Sequence, residues 1–190
     1  MARPRYGEGD ARAKERLVEA FWETLEEKPY EQMRVLEVCR RAGLNKNTFY
    51  YHFEGLPQLA DAAIDGMMFR ELARMATHGP ESVAGAVESL LAQGGIQERF
   101  RHMSILLSDN GAGLQGGLAD RIAAVWRDER ESAGDGTSPQ WETVAAYASG
   151  GVVNLMRHRN PQDYGDVLRT MAASPAIGAI IGEVMGKREG

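Results

Sequence analysis

The stretch Val35-Leu-Glu-Val-Cys-Arg-Arg-Ala-Gly-Leu-Asn-Lys-Asn-Thr-Phe-Tyr-Tyr-His-Phe53 leaves the chain little choice of local structure. Val35, Cys39 and Ala42 share one face of a helix, and Gly43 follows where a helix is commonly closed by a left-handed residue. Asn45 suits an N-cap, with Thr48 at the third helical position and Leu44 placed to staple onto Phe49. At about 100° per residue, Phe49 and Phe53 fall about 40° apart on one face of this second helix. Asn47, Tyr51 and Thr48 fall opposite, with Lys46 and Tyr50 along one edge. A helix, a glycine-containing turn of about three residues and a second short helix read as a helix-turn-helix, which lays its second helix in the major groove of DNA. Lys and Asn can reach base edges there, while Thr and Tyr hydroxyls can donate to phosphate without carrying a charge.

The rest of the chain also reads as helix. Leu17, Phe21 and Leu25 recur at i, i+4 and i+8 behind Asp10 as N-cap, and Pro29 stops that helix. Gly55 breaks the chain after Phe53, and Pro57 opens a long fourth helix through about Ala76. Helical spacing continues over Glu81–Gln93, Glu98–Ser108, Leu118–Ser132, Trp141–His158 and about Pro161–Ala173, with a further piece through Met185. Ala133–Pro139 is a loop rich in Gly, Ser and Asp. Period-two runs of β-branched residues are absent, so an all-α fold of about nine helices is expected.

Charge and composition narrow the classes. With 190 residues, 43% hydrophobic and 26% charged, the chain has the makeup of a globular protein of one or two domains. The net charge of −5 hides an uneven layout: the basic residues Arg3, Arg5, Arg12, Lys14 and Arg16 bunch near the N-terminus, and Arg34, Arg40, Arg41 and Lys46 form a second cluster. Local basic patches on an acidic chain suit a sequence-selective DNA binder better than a polyanion coat. The single cysteine, Cys39, excludes an intrachain disulfide and a multi-cysteine zinc site. Ala176–Ile181 is among the longest apolar runs, well short of the ~18 residues of a membrane span. The basic N-terminus lacks a following apolar segment, so no signal peptide is expected and a cytoplasmic location follows.

Ala42-Gly43-Leu44-Asn45 followed by Thr48-Phe49-Tyr50-Tyr51-His52-Phe53 resembles the DNA-binding signature of the TetR family of bacterial transcriptional regulators. The detailed resemblance covers about Arg12–Ala63. It implies an N-terminal three-helix helix-turn-helix domain, residues 1–56 with a basic arm, joined by a long helix to a helical ligand-binding and dimerisation domain, residues 57–190. It implies that Lys46, Asn47 and Tyr50 approach bases, that Thr48, Tyr51 and His52 hold the phosphate backbone, and that Arg3 and Arg5 reach from the arm. The family tends to place a lysine where this chain has Leu56, and it usually opens the second helix with Ser or Thr where this chain has Gln32-Met33.

The resemblance implies a homodimer on double-stranded, palindromic operator DNA, a repressor released by a small, largely apolar effector. Met67, Met68 and Met103, with His102, Trp126, Tyr147 and Asn154 as polar handles, are the pocket residues expected. Ala148, Gly151, Val152 and Leu155, then Val167, Leu168 and Met171, stripe the two helices that pair between subunits in the family. No catalytic arrangement, metal-ligand spacing or cofactor motif is legible. Gly111-Ala-Gly-Leu-Gln-Gly116 fits a dinucleotide-binding pattern by letter, but no strand flanks it, and a flexible interhelical loop is expected. Two other readings stay open from the sequence: a small helical enzyme with a helix-turn-helix-like segment, and a DNA binder without effector control.

Overall fold

The computed structural model describes residues 6–67, 70 and 83–185. Arg3, Arg5 and Met68, and the expected extension of the fourth helix to Ala76, lie outside them except for Arg70, which is helical. The described residues form ten α-helices and three short 3-10 turns, without a strand. The all-α class expected from the sequence is the class observed.

The helices are α1 (Tyr6–Glu27), α2 (Val35–Ala42), α3 (Lys46–His52), α4 (Leu56–Met67), α5 (Val83–Leu91), α6 (Ile96–Leu107), α7 (Leu118–Ser132), α8 (Pro139–Arg157), α9 (Tyr164–Ala173) and α10 (Pro175–Met185). The 3-10 turns are Tyr30–Gln32, Asp109–Leu114 and Pro161–Asp163. α1 starts one turn earlier than Asp10, which sits inside the helix rather than capping it. α8 starts at Pro139 because Ser138 caps it, its Oγ accepting from Trp141 N at 3.2 Å. Among the described residues no single helix is long and apolar enough to cross a membrane.

Two compact units emerge. The first takes the described part of residues 1–67 together with Ile105–Gln115; the second takes that of 68–104 together with 116–190. The first is built on the apolar stripe of α1, whose Leu17, Phe21 and Leu25 are fully buried. Phe21 meets Trp22 edge to face at 5.3 Å between ring centroids, and α4 adds Leu59, Ala60, Ala63 and Ile64 to the same core. Burying each large side chain of this kind contributes about 1.5–3 kcal/mol.

Gly111–Gly116 is not the flexible loop expected. Asp109–Leu114 is an ordered 3-10 turn in the first unit, and Gly111 is buried. Asn110 Nδ2 donates to Glu26 O at 3.0 Å, and Gln115 Nε2 donates to Leu106 O at 3.0 Å and to Ser108 O at 2.8 Å. The glycines serve close approach: a Cβ on Gly111 would stand 2.1 Å from Leu106 O, and one on Gly113 2.0 Å from Glu31 Oε1.

In the second unit, Trp141 and Ala145 of α8 pack with Ala123 of α7 and Val184 of α10, and Trp141 Nε1 donates to Val184 O at 2.9 Å. Phe100 and Tyr164 stack edge to face at 5.5 Å. A bidentate pair, Arg127 Nε to Glu142 Oε1 at 2.9 Å and Nη2 to Oε2 at 2.6 Å, ties α7 to α8. Arg169 Nε to Glu88 Oε1 at 2.8 Å ties α9 to α5.

Candidate nucleic-acid interface

The reading helix is fixed at both ends by its own sequence. Upstream, α2 closes on Gly43 at φ +62°, with Leu44 N donating to Cys39 O at 2.9 Å. Asn45, extended, caps α3: its Oδ1 accepts from Thr48 N at 2.9 Å and from Thr48 Oγ1 at 3.2 Å. Phe53 N donates to Phe49 O at 2.9 Å and ends the helix. Caps of this kind contribute about 1 kcal/mol. A helix this short is marginal in water by itself and owes its persistence to packing. Phe49 is fully buried and Phe53 nearly so, which sets the rotation of α3 about its axis.

That rotation decides what faces outward. Lys46 and Asn47 are exposed, Tyr50 is 56% and Tyr51 68% exposed, and Thr48 is half-buried through its part in the cap. His52 differs from its neighbours. Its side chain is only 8% exposed, edge-on to Tyr51, with Nε2 at 3.4 Å from Asp10 Oδ1 but without a hydrogen bond. Asp10 beside His52 had no signal in the sequence, because the two meet only when α1 crosses α3. Leu56 is half-buried at the first residue of α4.

The opening of α2 lacks a Ser or Thr cap, and Glu37 compensates. Its Oε2 accepts from Arg34 N at 3.1 Å, and its Oε1 takes Lys28 Nζ at 2.6 Å. The Lys28 hydrogen bond holds the Glu37 carboxyl below the usual carboxylate range. Arg41 pairs with Glu27 and, at 3.6 Å, with Glu23, and these carboxylates raise its affinity for its proton. The basic cluster read from sequence is thus partly neutralised inside its own unit.

A second candidate site lies in the second unit: an apolar groove of about 600 Å³ bordered by α5 and α7–α10. Trp126, Tyr147 and Asn154, expected as pocket residues, line it together with Ala148, Gly151, Val152, Leu155, Leu168 and Met171, expected at the dimer face. No acidic or basic residue is among its lining. Tyr147 is 73% exposed, Leu155 37%, and nothing stands within 4 Å of a Cβ on Gly150 or Gly151. Met67, Met103 and His102 are placed elsewhere. Met67 is buried in the first unit's core, and Met103 and His102 are buried on α6. His102 Nε2 stands 3.1 Å from Glu98 Oε1, and burial pushes its pKa down to about 4. Val167 is half-buried and is not part of the groove.

A capped short helix, rotated by two buried phenylalanines to present Lys, Asn and two Tyr, is the reading element of a helix-turn-helix DNA-binding domain. Residues 17–63 match the family model described as bacterial regulatory proteins, tetR family. This N-terminal segment is therefore similar to the DNA-binding domain of TetR-type transcriptional regulators. No curated protein matches the chain significantly.

Proposed function

We propose that this protein is a homodimeric, ligand-responsive repressor that reads a palindromic operator with α3 and releases it on binding a small, largely apolar effector. The observation that carries the reading is the division of α3 into a buried Phe49–Phe53 face and an exposed face of Lys46, Asn47, Tyr50 and Tyr51. Lys46, Asn47 and Tyr50 address bases; Thr48 and Tyr51 address phosphates; Arg3 and Arg5 extend the contact from the arm. His52 can join them only if a phosphate oxygen competes with Asp10 for its Nε2.

The division of labour is a reading domain of residues 1–56 and an effector and dimerisation domain of residues 57–190. The uncharged lining of the groove supports an uncharged, mostly apolar effector, with Tyr147 and Asn154 as its hydrogen-bonding partners. Gly151 and Leu155 leave the groove-lining face of α8 open to a second subunit, which would cover an apolar surface otherwise left to water. A two-fold dimer presents two reading helices about 34–36 Å apart, the spacing of successive major grooves. The effector must prefer the state that does not bind DNA, or it shifts nothing.

Selection of DNA sites from a random pool tests the reading. A palindrome with half-sites one helical turn apart is the expected result, and recovery of no preferred sequence would overturn it. Thermal stabilisation by members of a library of neutral apolar compounds, with loss of the selected DNA, is expected for the effector.

A further inference from the structure

The cations of the first unit fall into two sets. Lys28 and Arg41 are committed to carboxylates. Arg12, Lys14, Arg16, Arg34, Arg40 and Lys46 make no ion pair among the described residues, and of these Lys14 and Arg16 project from α1 onto the two ends of α3. The Arg16 guanidinium lies against the turn before α3, where a Cβ on Gly43 would stand 2.7 Å from its Nη2. The Lys14 ammonium lies at the other end of α3, 5.9 Å from the centre of the Phe53 ring, the residue that ends the helix. One cation therefore stands at each end of the reading helix, held there by packing against backbone and ring rather than by an opposite charge.

We infer that Lys14 and Arg16 are phosphate-binding residues that bracket α3 on the DNA backbone. This rests on the reading of α3 as the element in the groove. A duplex carries phosphates on both sides of that groove, and a helix inside it has one strand's backbone near each end. A cation without a protein partner has no ion pair to break before it meets phosphate, whereas Arg41 would first have to leave Glu23 and Glu27. The same placement offsets the leucine at position 56, which supplies neither charge nor side-chain donor.

The test is the salt dependence of DNA binding by the full chain and its Lys14→Gln, Arg16→Gln and Arg41→Gln variants. Each is measured on the selected site and on random duplex of equal length. Each phosphate contact steepens the dependence of log K on log salt by about 0.9, so one residue in both subunits of a dimer accounts for about 1.8. Lys14→Gln and Arg16→Gln should each lose about that slope, on both DNAs. Between 50 and 200 mM salt the advantage of the unaltered protein should shrink about tenfold. Arg41→Gln should keep the slope, and so should the charge-keeping Lys14→Arg and Arg16→Lys. Far-UV circular dichroism and the melting temperature confirm that each variant is folded. Unchanged slopes for Lys14→Gln and Arg16→Gln, or an equal loss for Arg41→Gln, would overturn the inference. Failure of the unaltered protein to bind the selected site would instead overturn the reading of α3 itself.

Discussion

At the scale of single residues, Gly43 and the exposed face of α3 separate folding from reading. Gly43 sits at φ +62°, where an L side chain is strained. Gly43→Ala should destabilise the protein by about 1–2 kcal/mol, mostly through that strain, because the nearby Arg16 guanidinium can swing aside. Urea unfolding at neutral pH measures it. Tyr51 and Asn47 are the opposite case, since both are exposed and their removal should leave stability within about 0.5 kcal/mol. Tyr51→Ala should weaken specific and random DNA alike, as a phosphate contact does. Asn47→Ala should relax preference at one base position, by about 1–3 kcal/mol if its contact is bidentate. Competition binding against single-base variants of the selected site distinguishes them, and equal loss across all sites for Asn47→Ala would remove it from the base-reading set.

At the scale of elements, α6 and the turn that follows it hold two features with measurable consequences. Gly111 lets the Asp109–Leu114 turn approach Leu106 O closely, and no rotamer change relieves a backbone oxygen 2.1 Å from a new Cβ. Gly111→Ala should therefore cost about 1–3 kcal/mol. Gly116→Ala, with nothing within 4 Å of its Cβ, should be neutral or gain up to about 1 kcal/mol from a less flexible unfolded chain. Equal unfolding midpoints for the two variants would mean that the turn is not packed as described. His102, on the same helix, titrates at about 4 because burial disfavours its charged form, against Glu98, which favours it. Between the free imidazole value near 6.5 and 4, the unfolded chain binds the extra proton, so stability falls as pH falls through that window. The contribution is about 2 kcal/mol at pH 4.8, and His102→Gln should flatten it. Urea midpoints at pH 7 and pH 4.8 are the measurement. Glu98, whose carboxyl Arg101 holds below the usual range, adds its own loss only at lower pH.

For the whole molecule, the proposed dimer makes operator binding depend on the groove-lining face of α8. Leu155 is partly exposed there, so a charge at this position should leave the fold of the second unit intact while opposing a second subunit. Leu155→Asp should elute as a monomer and lose most operator affinity, because one reading helix reaches only one half-site. A dimer of unchanged affinity would place the subunit contact on another surface.

The sequence by itself determined what local chemistry controls. The Gly43 closure, the Asn45 cap and the Phe49–Phe53 face were legible because each depends on residues within one helical turn, and the family resemblance followed from the same stretch. Most helix bounds along the chain were legible from apolar spacing for the same reason. Tertiary structure decided whatever brings distant residues together. Gly111–Gln115 had the composition of a free loop, yet it became part of the first unit because the close approach of Gly111 to the Leu106 carbonyl needs a residue without a Cβ. Trp126, Tyr147 and Asn154, assigned to one role, and Gly151 and Leu155, assigned to another, came to line one groove because α7 and α8 pack side by side. Which cations are available was also invisible in the sequence. Arg41 and Lys28 reach carboxylates 14 and nine residues away, whereas Arg16 reaches a glycine turn. Charge sits in the sequence, but its pairing is set by which helices cross.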